Sequence, residues 1–177
     1  RATPTPAMPT PVPCRDTRIT VVDTPVVAGF GGEVDRGLSM VDSVRRLVDA
    51  MDGPMPQTRF VTQKAFQMGF KPIVVINKVD RPGARPGWVL DQTFDLFDRL
   101  GATNEQLDFP VVYSSALHGY ASLDPEARSG DMTPLYEAIM QHVPPPKLDP
   151  YRPTLIRLSQ LAYISLQGLT GIRPQIL

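Results

Sequence analysis

The sequence is poor in the residues that staple a fold together. Cys14 is the one cysteine among 177 residues, so neither an internal disulfide nor a cysteine metal cluster can form within the chain. An incidental thiol in a reducing, cytoplasmic setting is expected. His118 and His142 are the only histidines; each is isolated from other ligand-type residues, and a surface or helix-end place is expected for both. Charge of one sign is not in excess either. Eighteen basic residues balance eighteen acidic ones, which excludes a strongly basic nucleic-acid-coating protein and an acidic tail, and sequence-specific DNA binding is not expected. No apolar run approaches the roughly 18 residues of a membrane span. The proline-punctuated start has no signal-peptide apolar region, so the protein reads as soluble, with no membrane partner.

Proline, by contrast, is abundant: 20 of 177 residues, about twice the usual share of roughly 5%. Ten of the twenty fall in two stretches, Pro4 to Pro13 and Pro144 to Pro153. With 42% hydrophobic and 20% charged residues overall, the interval between them reads as one ordinary globular domain. Residues 1–16 alternate proline with small residues, which sustains neither a helix nor a central strand, and a disordered leader is expected there. The chain opens on Arg1 and not on Met, as expected of a processed chain, a fragment or an incomplete reading frame.

From Thr17 the texture changes. Arg18 to Asp23 is a β-branched run closed by Thr24-Pro25, and Gly31 to Ser43 carries Val34, Leu38 and Val41 at helical spacing. Strand and helix then alternate: Val44 to Val48 and Gln57 to Gly69, Pro72 to Ile76 and Trp88 to Leu100, Pro110 to Tyr113 and Thr133 to Val143. Thr133-Pro134 reads as a helix cap followed by proline in the first turn. Ile73-Val74-Val75-Ile76 is the continuous apolar run of a parallel strand buried on both faces. This pattern predicts an α/β fold with a doubly wound, mostly parallel sheet. A stiff linker follows over 144–153, and strand character resumes from Thr154.

In such sheets ligands sit beyond the carboxyl ends of the strands, and three strand exits are polar. They are Asp23-Thr24-Pro25, Asn77-Lys78-Val79-Asp80 and Ser115-Ala116-Leu117. A carboxylate at Asp80 can accept from both the ring N–H and the exocyclic amine of guanine, a pattern adenine lacks. The Lys78 stem would lie over the base, Asn77 would tie neighbouring loops, and backbone N–H groups around Ser115-Ala116 could donate to the guanine carbonyl. Asp23, ending an apolar strand, is placed to hold a magnesium-bound water, although a lone acid there also serves as a helix-entry residue.

With these motifs stand Phe30-Gly31-Gly32-Glu33-Val34, Asp52-Gly53-Pro54-Met55-Pro56-Gln57-Thr58-Arg59 and Lys71 to Pro82, and together they resemble the G domain of translational GTPases. Gly83-Ala84-Arg85-Pro86 and Gln106-Leu107-Asp108-Phe109-Pro110 are most similar to the BipA family, also called TypA. The resemblance runs from about Thr17 to Leu161. It implies a P-loop GTPase fold, GTP or GDP with Mg2+ as ligands, the ribosome as partner, a cytoplasmic location, and a β-barrel domain entered at Ser159-Gln160-Leu161. Residues 17–143 are then a partial G domain and residues 154–177 the truncated start of that barrel.

Departures from the family pattern are equally specific. No Gly-x-x-x-x-Gly-Lys-Ser/Thr phosphate loop occurs in these 177 residues, so the fold is expected to be incomplete on its N-terminal side. The near miss from Gly32 to Ser39 has Leu38 where the phosphate-binding lysine belongs. Where the family has Asp-x-x-Gly-His, this chain has Asp23-Thr24-Pro25-Val26-Val27, so the γ-phosphate glycine and the water-positioning histidine are both valine. Arg45 and Arg46 interrupt a strand that is Leu/Val-rich in the family. Loss of the phosphate-loop strand is expected to leave the Asp23 strand and the Val44 strand with unpaired edges. Three functions follow: a GTPase-like chain that keeps only guanine recognition, a catalytically inert module contacting the ribosome or another protein, and an eroded gene product.

Overall fold

The structure is a computed structural model and describes residues 9–22, 38, 41–55, 59–145, 156–164 and 168–176. The chain divides into two compact units, Arg1–Pro144 and Pro145–Leu177.

The first unit opens with a hairpin of β1 (Pro9–Cys14) and β2 (Thr17–Val22). Strand β1 lies where a disordered leader is expected, and the correction has a backbone reason. Pro9, Pro11 and Pro13 recur with period two, so their missing N–H groups all fall on one side of the strand. Thr10, Val12 and Cys14 keep their amides for β2, in a register running from Pro9 opposite Val22 to Cys14 opposite Thr17. Proline is compatible with a strand on such an edge. The turn is two residues long, with Arg15 at φ 51°. Arg15 Nη2 reaches Glu137 Oε1 at 2.9 Å, and Cys14 Sγ lies 3.9 Å from Met140 Sδ.

The main sheet has the order β3-β4-β5-β6, built from β3 (Val44–Asp49), β4 (Pro72–Asn77), β5 (Val111–Ser115) and β6 (Tyr120–Ser122). Strands β3, β4 and β5 are parallel, and β6 is antiparallel to β5. Helices α1 (Arg59–Gln67), α2 (Pro86–Arg99), the single turn α3 (Asn104–Leu107) and α4 (Thr133–His142) complete the unit. Alternation along β4 explains the layering: Val74 and Ile76 pack with Phe66, Val89 and Phe97, while Ile73 and Val75 pack with Leu135 and Ala138. Helices therefore cover both faces, as in a doubly wound α/β sheet.

Among the described residues β2 and β3 each end a sheet and are not paired with one another. Arg45 and Leu47, on one face of β3, are exposed, Leu47 by 55%. Arg46 points to the other face, where burial lowers its guanidinium pKa to about 10. The strand thus accommodates its two arginines by sending one to solvent and half-burying the other.

Helix α1 ends against α3. Gln106, 4% exposed, donates through Nε2 to the carbonyls of Phe66 (3.2 Å) and Phe70 (3.0 Å), and it closes a capping box with Thr103. The Phe66 carbonyl also accepts from the Gly69 amide at 2.9 Å, so Gln106 adds a second donor there and caps the Phe70 carbonyl just beyond the helix. In α4 the cap differs from the sequence expectation. Thr133 is the first helical residue, Met132 holds the cap position, and the Thr133 amide donates to Asp131 Oδ1 at 2.8 Å.

Much of the helix expected over 31–43 lies outside the described residues, as do most of the linker and Asp23. Of that helix's described residues, Leu38 is helical and 2% exposed, packed with Ala65, so a buried core leucine stands where the near-miss phosphate loop would need its lysine. Val41, Asp42 and Ser43 are not helical, so the helix does not extend to Ser43 as expected. In the second unit β7 (Ile156–Ile164) pairs antiparallel with β8 (Gly168–Ile176).

Candidate functional site

The carboxyl ends of β3, β4 and β5 bring three sequence segments together, because their parallel register sets Asp49 beside Asn77 and Asn77 beside Ser114. Asn77 is the tie between β4 and β5. Its Oδ1 accepts from Ser114 Oγ (3.2 Å) and from the Ala116 amide (3.0 Å). The Ala116 N–H is therefore already engaged, and a guanine carbonyl would share it with Asn77. Val79 N–H donates to the Ser114 carbonyl at 3.3 Å, and Val79 is buried, which holds the loop down between its two polar neighbours.

Asp80 follows in that loop with 15% of its side chain exposed. A hydrogen bond from Ser115, whose side chain is fully buried, is the main cause that holds its carboxyl below the usual range; partial desolvation opposes this, and His118 and Arg81 add favourable charge. His118 Nε2 stands 3.6 Å from Asp80 Oδ2, an ion pair whenever the imidazole is protonated. Its own amide donates to Ser115 Oγ at 3.2 Å. Leu117 is 83% exposed and makes no part of this network beyond its place in the loop. His142 stands in the last turn of α4.

Lys78 occupies the left-handed region at φ 68°, and its ammonium donates to Asp49 Oδ2. Asp49 lies in Leu47-Val48-Asp49-Ala50, a segment that shares the family resemblance but to which the sequence alone assigns no site role. Its other oxygen accepts from the Met51 amide at 2.9 Å, and its carbonyl accepts from the Gly53 amide at 3.0 Å. Gly53 sits at φ 74°, and a Cβ there would meet Trp88 Cζ3 at 3.4 Å, so glycine serves both the turn and the ring lying on it. The Arg85 guanidinium stacks on the Trp88 ring, 4.2 Å from its centroid, and Arg85 N–H donates to the Ala50 carbonyl at 2.8 Å.

The residue set fits a guanine base: a carboxylate kept ionised, an amide nearby, and a lysine stem fixed alongside. Asp23, the residue the sequence points to for magnesium, lies outside the described residues, among which no group of three or more His, Cys, Asp or Glu could hold a metal ion. No helix among the described residues is long and apolar enough to cross a membrane.

A parallel α/β sheet whose strand exits carry Asn-Lys-x-Asp and Ser-Ala places the protein in a class of nucleotide-binding folds. The chain belongs to the family of the elongation factor Tu GTP binding domain, whose model matches residues 5–145. Within it, the likeness is to BipA. The chain is 65% identical over 157 residues to the large ribosomal subunit assembly factor BipA of Haemophilus influenzae, covering 89% of this chain and 26% of that protein. It is 64% identical over 163 residues to the factor of the same name from Escherichia coli strain K12, covering 92% and 27%, and 59% identical over 155 residues to that of Buchnera aphidicola, covering 88% and 25%. The chain thus spans about a quarter of the length of these curated relatives.

Proposed function

We propose that this chain recognises the guanine base of GTP and GDP as a BipA-type translational GTPase module, and that it does so without the contacts that bind and cleave the phosphates. The observation that supports this best is Asp80: a shielded carboxylate, held ionised by the Ser115 hydroxyl at the exit of β4, matches the two adjacent donors on guanine. Asn77 and Lys78 shape the base site, Ala116 supplies the amide for the carbonyl, and Leu117 covers the rim. Asp23 is the residue that would hold magnesium through a water. Relatives named as large ribosomal subunit assembly factors suggest the ribosome, in the cytoplasm, as the partner, with the β7–β8 hairpin opening a further domain.

Much of the affinity of such sites comes from amides and a lysine that cradle the polyphosphate, and this sequence has no such loop, so guanine selectivity should come with weak binding. Titration of the chain with GDP, GTP and ATP, followed by amide chemical shifts, tests it. Shifts confined to guanine nucleotides at high concentration are expected. Asp80→Asn should exchange that preference for xanthine nucleotides, which present a carbonyl where guanine has its amine. Equal response to ATP, or sub-micromolar affinity for GTP, would overturn the proposal.

A further inference from the structure

We infer that Asp49 is a positioning residue of the base site: by holding the Lys78 ammonium, it fixes the lysine stem and keeps that cation away from Asp80. The inference rests on the guanine reading above and adds a residue from a different strand to it. Lys78 and Asp80 are two residues apart in one loop, and a free lysine there has an obvious alternative partner in the Asp80 carboxylate. Pairing of those two would occupy the oxygens that must meet the base. The structure instead turns Lys78 at φ 68° and sends its ammonium across to β3, where Asp49 receives it.

Asp49 is built as an anchor. Only 11% of its side chain is exposed, against 41% for Lys78, and its second oxygen is committed to the Met51 amide. The parallel register that sets Asp49 beside Asn77 fixes how far the lysine must reach. A long side chain tethered at its head has already lost much of its rotamer freedom before any ligand arrives, and its charge is already partnered. What it presents alongside the base is then its apolar stem, while Asp80 remains the charge that reads guanine.

The test is a double-mutant cycle on the full chain, read by GDP titration with amide chemical shifts. Asp49→Ala should weaken GDP binding about tenfold, and Asp49→Asn, which preserves shape, should weaken it in the same direction. Lys78→Met keeps an apolar stem and has no cation to restrain, so adding Asp49→Ala to it should change GDP affinity little further. A merely structural Asp49 would instead lower affinity equally in both backgrounds and in step with the urea midpoint, which would overturn the inference. So would wild-type affinity in Asp49→Ala together with an intact Asp80→Asn effect, and that outcome would leave the guanine reading standing. Absence of any Asp80-dependent binding of GDP would overturn both.

Discussion

At the scale of single residues, Asp49 also sets a pH dependence. Burial acts to raise its pKa; the hydrogen bond from Lys78, the Met51 amide, the Lys78 charge and the Asp52 amide together outweigh this and leave it below the usual 3.8. A carboxyl whose folded pKa is depressed binds its proton more readily when unfolded, so stability rises with pH across that interval. Its contribution is complete above the ordinary carboxylate range and is lost as pH falls through the lowered folded value. Urea unfolding of the chain and of Asp49→Asn, measured from neutral pH into acid, should show the largest difference near neutrality and a narrowing gap below the ordinary carboxylate range. A gap that is constant over this range would show that the Asp49 charge contributes nothing.

At the scale of elements, the sheet and its helices were legible where one segment carries its own pattern, and illegible where the pattern belongs to a pairing. Strand β4 could be read because Pro72 to Ile76 is apolar without interruption and must be buried on both sides. Strand β1 could not, since alternating proline looks like a disordered leader until a partner shows that the missing donors share one edge. Strand β6 is three residues long and depends on β5 for its hydrogen bonds. The Asn77, Asp80 and Ser115 cluster was visible as motifs at strand ends, whereas Asp49 entered the site only through the parallel register of β3 with β4. Gln106 is another such residue: polar in sequence, yet placed to bind the end of α1. Gln106→Ala would leave the Phe70 carbonyl without its donor, while the Phe66 carbonyl keeps the Gly69 amide, and should cost about 1–3 kcal/mol. Chemical denaturation measures this, and a loss well below 1 kcal/mol would mean that water replaces the amide.

At the scale of the whole molecule, the residues of the candidate base site stand on a sheet whose strand β3 is a free edge among the described residues, with Arg45 exposed on it. An exposed charge on an edge strand opposes edge-to-edge association. The 177 residues hold a candidate base site but no phosphate-loop lysine, and valine stands at positions 26 and 27. Removing one preorganised electrostatic contact from a reacting centre typically costs about 10²–10³ in rate, and phosphoryl transfer relies on several such contacts acting together. Phosphate release from GTP by this chain, with or without purified ribosomes, should therefore stay at background. Turnover that disappears in Asp80→Asn would contradict this.

Trp88 is the chain's one tryptophan, and its ring lies on the Gly53 turn with 41% of the residue exposed. The Gly53 amide is bonded to the Asp49 carbonyl, and the Asp49 carboxylate to the Lys78 ammonium. The protein therefore carries a built-in fluorophore a few contacts from the lysine beside the candidate base site, and a change of its emission colour or quenching on adding GDP is the label-free optical signal expected of binding there.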